Sequence, residues 1–308
     1  MTRVAAVDCG TNSIRLLVAD VDPAAGTLAE VDRRMEIVRL GEGVDRTGVL
    51  SPAALARTFT ACDAYAELIR STGAERVRFV ATSASRDVDN RDEFVAGVRH
   101  RLGVDPEVVT GDEEARLSFA GATRELLAGS DPRPFLVTDI GGGSTELVLG
   151  DTDVTAARSV DVGCVRMTER HLHDDPPTGQ QVAAARADVE AAVRHAGGTV
   201  PLAEARTLVG LAGSVTTVAA MALDLPTYDR DRIHHSRISA GDVHDVARRL
   251  LAMTRAERAA LPFMHPGRVD VIGAGALVLA VVLENVRVDD VLVSEHDILD
   301  GIAWSLVT

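Results

Sequence analysis

The sequence predicts an α/β protein built from two related domains, on three observations. Short apolar runs that read as strands alternate with longer stretches that read as helices. The chain has 308 residues, enough for two ordinary cores. One strand–turn–strand pattern also occurs twice without a gap, as DCGTNSIRL from Asp8 and DIGGGSTEL from Asp139. In it Asp8/Asp139, Gly10/Gly141, Ser13/Ser144, Leu16/Leu147, Asp20/Asp151 and Asp22/Asp153 coincide. Such an echo suggests a duplicated domain whose two turns face each other across a cleft. The run GSDPRP from Gly129 is the best linker, so the expected domains are 1–128 and 129–308, with the last helix able to pack back on the first.

Each element has a local reason. Residues 3–7 (RVAAV) read as a strand. Ser51 is a helix cap with Pro52 in the first turn, and that helix runs to about residue 70. Residues 76–82 are a strand, 91–102 a helix, and Gly111 opens another helix. The glycines Gly141, Gly142 and Gly143 sit between an apolar strand ending at Asp139 and a second strand at 147–149. An alanine-rich helix over 180–195 follows a Pro-Pro loop. Residues 208–217 read as a strand, a glycine turn and the start of a helix. The polar stretch 224–239 reads as an exposed loop. Residues 271–283 form the longest uncharged apolar run, too short to span a bilayer and therefore a buried helix. A strand at 291–293 and a helix containing Trp304 close the chain.

Composition removes several classes of function. The net charge of −14 argues against general nucleic-acid binding, though not against a small polyanion in a locally positive cleft. All 32 basic residues are arginine, so a Walker-type lysine loop, a Schiff-base enzyme and a lysine general base are excluded. Cys9, Cys62 and Cys164 are scattered, which fits a reducing cytoplasm rather than a disulfide framework or zinc ribbon. A strand at the very start leaves no room for a signal peptide, and no membrane partner is expected.

The second turn poses a chemical problem. Three consecutive glycines allow close approach to the backbone, and their N–H groups form an anion-binding concavity. Asp139 and Glu146 flank that concavity with negative charge. If the anion is a phosphate, a cation must stand between it and the carboxylates. The pairs His171/His173 and His234/His235 lie in polar loops with no HExxH and no cysteine partner, so no dedicated metal site is expected there.

Six motifs in order, DCGTNSIRL, ATSASRDVDN, GDEEARL, DIGGGSTEL, GLAGSVTT and GRVDVIGAG, resemble the exopolyphosphatase/guanosine pentaphosphate phosphohydrolase (Ppx/GppA) family. The resemblance runs nearly end to end. It implies two ribonuclease-H-like domains of the actin, sugar-kinase and heat-shock-ATPase superfamily, and hydrolysis of a terminal phosphoanhydride with Mg²⁺, Mn²⁺ being a possible substitute. Glu114, in GDEEARL, matches the family's catalytic base, while Glu113 beside it points elsewhere on a helix. Both acids would also suit a first helical turn for its dipole alone. Arg86 would grip phosphate oxygens, the alternative being a surface ion pair with Asp87 or Asp89.

Phosphate contacts are expected from Gly10, Thr11, Asn12 and Ser13, from Gly141, Gly142, Gly143, Ser144 and Thr145, and from Gly213, Ser214 and Arg268. Asp139 and Glu146 would hold the metal. Asp8 either meets a metal-bound water or simply ends its strand. The substrate is inorganic polyphosphate or, as the alternative, guanosine pentaphosphate. A superfamily kinase and a catalytically silent sensor are the other classes. A homodimer is carried over from the family. Longer members continue into a C-terminal helical domain, so short chains are the expected substrates here. Where many members have an arginine and a glycine, this chain reads SEHDILDG from Ser294.

Overall fold

The structure, a computed structural model, describes residues 1–86 and 88–307; Asp87, and with it the alternative Arg86–Asp87 pair, lies outside the described residues. The chain forms two compact units, Met1–Gly121 with Ile298–Thr308, and Ala122–Asp297. The division falls earlier than the linker-based 128/129. The segment after residue 121 is tied to the second unit by contacts such as Glu125 with His234 at 3.1 Å and Thr207 Oγ1 donating to the Pro132 carbonyl at 2.8 Å.

The first unit carries a five-stranded sheet: β1 (Thr2–Cys9), β2 (Ser13–Asp22), β3 (Thr27–Ile37), β4 (Arg76–Ala81) and β5 (Glu107–Val108), in the order β3-β2-β1-β4-β5. β3, β2 and β1 run antiparallel, and β1, β4 and β5 parallel. The alternation along β1 puts its side chains into two cores. Ala5, Val7 and Cys9 pack with Tyr65, Phe79 and Phe94, under the helices Pro52–Thr72 and Arg91–Leu102. Val4 and Ala6 pack on the other face with Leu117, Ile302 and Trp304. The helix Ile298–Ser305 is pinned there by the buried Asp300, which accepts from Arg33 at 2.6 Å. Ser51 caps its helix through the Ala54 amide.

The second unit repeats this order and extends it. β6 (Phe135–Ile140), β7 (Thr145–Gly150), β8 (Val154–Val160), β9 (Thr207–Leu211), β10 (Arg237–Ser239) and β11 (Asp290–Val293) lie as β8-β7-β6-β9-β11-β10. The antiparallel β6–β7–β8 trio and the parallel β6–β9–β11 run reproduce the first sheet's pattern. This is the ribonuclease-H-like arrangement twice over. The helix Ile272–Glu284 is buried on nearly every side, as its unbroken apolar run requires, and it centres the core. Among the described residues no helix is long and apolar enough to cross a membrane.

One expectation fails. The stretch 224–239 is not a plain exposed loop: it contains the helical turn Arg230–Ile233, capped by Asp229, and β10, which extends the sheet. Two buried isoleucines, Ile233 and Ile238, anchor this otherwise polar run.

Candidate active site

In the first unit, β1 and β2 are joined by residues 10–13, and Gly10 N–H closes the turn on the Ser13 carbonyl at 2.9 Å. The turn's other carbonyls are taken from behind. Asn12 O accepts from Val38 and Arg39, and Thr11 O accepts from Gly41. Gly41 eases this approach, because a Cβ there would lie 2.3 Å from Thr11 Cγ2 and the threonine side chain would have to move. With its carbonyls tied back, the turn can present amides outward, the geometry an anion needs. Thr11 Oγ1 and Ser83 Oγ share a hydrogen bond of 2.8 Å, linking the turn to the end of β4. Asp8 does not merely end its strand: it accepts from Arg15, its cross-strand partner, at 2.6 Å.

Arg86 follows the 3-10 turn Ser83–Ser85 beyond β4. Its Nε donates to the Val109 carbonyl at 3.0 Å and its Nη2 pairs with Glu114. Glu114 is 7% exposed, in the first turn of the helix Gly111–Thr123. Glu113 points away and accepts from Arg78 at 2.7 Å. The two neighbouring acids are thereby separated: Glu113 is exposed and held by Arg78, and Glu114 is buried beside Arg86.

The second unit builds the equivalent turn. Gly141 N–H closes on the Ser144 carbonyl at 3.0 Å, the same bond as in the first copy. Here the start of the helix Cys164–His171 does the backing. Cys164 N–H donates to Gly141 O, Val165 and Arg166 N–H donate to Gly142 O, and Arg166 Nε donates to Gly143 O at 2.8 Å. Gly163 leaves no room for a side chain, since its Cβ would meet the Gly142 carbonyl oxygen at 2.5 Å. Among the described residues, no acceptor engages the amides of Gly142, Gly143 or Ser144. Thr145, expected to offer its hydroxyl to phosphate, donates it instead to the Val162 carbonyl and so holds the turn.

Asp139 and Glu146 stand directly opposite each other on β6 and β7, so their side chains leave the same face of the sheet. They are 6% and 0% exposed. Like charges placed so are mutually unfavourable. Two buried carboxylates are also the hard oxygen donors that Mg²⁺ prefers, and Ser159 Oγ orients one of them by donating to Glu146 at 2.7 Å. The donor set fits the ion.

At the end of β9, beside β6, the helix Ala212–Ala222 begins with Ala212 at a φ of 67°. The Arg268 guanidinium lies against Gly213, 2.5 Å from where a Cβ would stand, and donates to Thr217 Oγ1 at 3.1 Å. Gly213 is thus explained by the arginine it accommodates. Ser214 packs inward, against Gly275 and the Cys164 side chain. Burial pushes the Cys164 thiol above its usual pKa, an effect that the Ser214 hydrogen bond partly offsets. Sequence reasoning missed Tyr228, which lies beneath Arg268, donates its one hydroxyl proton to Glu295 and shares a hydrogen bond with the Thr216 hydroxyl. Its polar surroundings disguised it as loop.

Comparison with known proteins decides the family, because residues 17–308 match the Ppx/GppA phosphatase family. The chain belongs to the Ppx/GppA phosphatase family. A Mycobacterium tuberculosis protein named Exopolyphosphatase 2 is 56% identical to it, over 99% of both chains. The crystal structure of an exopolyphosphatase-like protein superposes with a TM-score of 0.94 at 44% identity, covering 99% of this chain and 97% of that one. A guanosine-5'-triphosphate,3'-diphosphate pyrophosphatase of Photobacterium profundum is 29% identical, over 99% of this chain but 59% of its own length. The Ppx/GppA match takes in the Arg86, Glu114 and Gly141–Ser144 segments, and it begins beyond the first turn.

Proposed function

We propose that the protein is an exopolyphosphatase, a hydrolase that releases orthophosphate from the ends of inorganic polyphosphate with Mg²⁺ as cofactor. The observation that carries this reading is the 56% identity to Exopolyphosphatase 2 of M. tuberculosis over 99% of both chains. The more distant guanosine-phosphate hydrolase, which this chain matches over only 59% of its length, supports the second reading, removal of the terminal 5′ phosphate of guanosine pentaphosphate.

The roles follow from the residues. Glu114, buried and aimed by Arg86, takes a proton from a water as that water's oxygen attacks the terminal phosphorus. The bridging P–O bond breaks, leaving orthophosphate and a chain shorter by one unit. A positioned base of this kind contributes about 10²- to 10⁴-fold in rate. The amides of Gly142, Gly143 and Ser144 hold phosphate oxygens, as do those of the Gly10–Ser13 turn. Arg86 and Arg268 add charge. Asp139 and Glu146 would hold Mg²⁺, which when bound offsets charge on the phosphate oxygens. All three cysteines are free and buried, consistent with work in a reducing compartment.

Phosphate release from tripolyphosphate, long polyphosphate and guanosine pentaphosphate tests the reading, with Glu114→Gln as the companion variant. Polyphosphate turnover that falls at least about 10²-fold in the variant, with binding retained, is the expected result. Turnover of the nucleotide alone would transfer the protein to the second reading. Tight binding without turnover of any substrate would make it a sensor and overturn both.

A further inference from the structure

The structure gathers part of the segment starting at Ser294 into a side-chain cluster in the second unit. Glu125, His234 and His296 come from three separate places: the stretch before the turn Leu126–Ala128, the end of the helical turn Arg230–Ile233, and the loop after β11. The β10–β11 edge brings the two histidines together. His235 N–H donates to Val293 O at 2.7 Å and Val293 N–H donates to Ser236 O at 2.9 Å. His235 takes a φ of 59°, which turns the chain there, and its ring stacks on His234 with centroids 3.7 Å apart. On the other side, Ser294 Oγ donates to the His296 carbonyl and accepts from the His296 amide, fixing that loop.

One ligand atom from each residue lies within 4.8 Å of the others. Glu125 Oε2 is 3.1 Å from His234 Nε2 and 3.5 Å from His296 Nδ1. Ligand atoms around a tetrahedral ion with bonds near 2.0–2.1 Å stand about 3.3 Å apart, so both separations match such an edge. Two imidazoles and one carboxylate suit Zn²⁺, Co²⁺ or Ni²⁺, whereas Mg²⁺ prefers oxygen alone.

We propose that Glu125, His234 and His296 form a second metal site, for a Zn²⁺-type transition-metal ion, chemically separate from the Asp139–Glu146 pair. Occupancy has one structural consequence. The Glu295 amide donates to His234 Nδ1 at 3.1 Å, so the neutral ring carries its proton on Nε2. An ion on Nε2 moves that proton to Nδ1, and the Glu295 amide must swing away. Glu295 also accepts from Tyr228, the ring beneath Arg268. The second site is therefore linked through Glu295 to a candidate phosphate-binding arginine.

The test is titration of the full chain, stripped with chelator, with Co²⁺ followed by its visible absorption spectrum. Expected are one Co²⁺ per chain with a tetrahedral spectrum and displacement by Zn²⁺. Affinity should fall at least about 10-fold in each of Glu125→Gln and His296→Ala, and persist in Glu146→Gln. His296→Gln, a milder change, repeats the measurement should the alanine variant fail to fold. Absence of tetrahedral Co²⁺, or binding unmoved by the His296 variants, overturns the proposal.

Discussion

The two glycine turns are built on one plan, yet their cross-strand pairs differ in sign. Both close with the same glycine-to-serine hydrogen bond, and both have their carbonyls tied back by chain behind them. In the first turn the strand-end acid Asp8 faces Arg15; in the second the equivalent acid Asp139 faces Glu146. The first copy carries its cation within the chain. The second sets two carboxylates side by side, an arrangement that suits a cation from solution. A repeated scaffold can therefore hold one turn for structure and positioning, while its twin has the donor set for the metal-assisted phosphate site proposed above.

The largest break in that comparison comes from removing the second copy's acid. Glu146→Gln should lower Mg²⁺-dependent phosphate release by about 10²- to 10³-fold, the several kcal/mol a metal supplies to phosphoryl transfer. Steady-state kinetics on polyphosphate checks this, and a loss below tenfold would contradict it. The matching change in the first copy acts on stability. Arg15→Met leaves Asp8 buried without its partner, at a cost of about 2–3 kcal/mol, discounted because Arg15 is 20% exposed. Urea denaturation would register this as a lower midpoint.

The supports behind the turns differ as well. Gly163→Ala would drive a methyl group into the Gly142 backbone, whereas Gly41→Ala would meet the Thr11 side chain, which can rotate. The first should cost about 2–3 kcal/mol and the second about 1 kcal/mol. Equal melting temperatures for the two variants would show that the backing is not as rigid as described.

The smallest effect is in pH dependence. In the second unit, burial and the neighbouring His234 lower the His235 pKa below its usual 6.5. The unfolded chain then binds that proton more readily, so stability falls as pH drops from 6.5 toward the lowered folded value. In the first unit, the Arg3 hydrogen bond lowers Asp20 below 3.8, a contribution kept above that pH and lost only as pH falls through the folded value. Between pH 6.5 and 5, melting of wild type should fall slightly, and His235→Asn should flatten the slope. An unchanged slope in that variant would assign the effect elsewhere.

What was legible in the sequence was what repeats or what is chemically costly. The echo of DCGTNSIRL in DIGGGSTEL disclosed both turns and the doubled strand pattern, because a glycine turn between apolar strands has few other uses. The role proposed for Glu114 rests on the family motif, since a first-turn acid alone is ambiguous. The Asp8–Arg15 and Arg86–Glu114 pairs stayed hidden, the first depending on strand register and the second joining residues far apart in the chain. The cluster of Glu125, His234 and His296 was illegible for the same reason: its members are neighbours only after β10 pairs with β11. The direction of the Thr145 hydroxyl was likewise illegible, because a turn threonine can face either way, and here its hydroxyl faces the Val162 carbonyl.

The most direct test of the central contrast is the Mg²⁺ dependence of phosphate release from tripolyphosphate by wild type, Glu146→Gln and Arg15→Met. A half-saturating Mg²⁺ concentration raised more than about tenfold in Glu146→Gln and unmoved in Arg15→Met is the expected result. The same Mg²⁺ dependence in Glu146→Gln as in wild type would show that the second turn does not hold the metal.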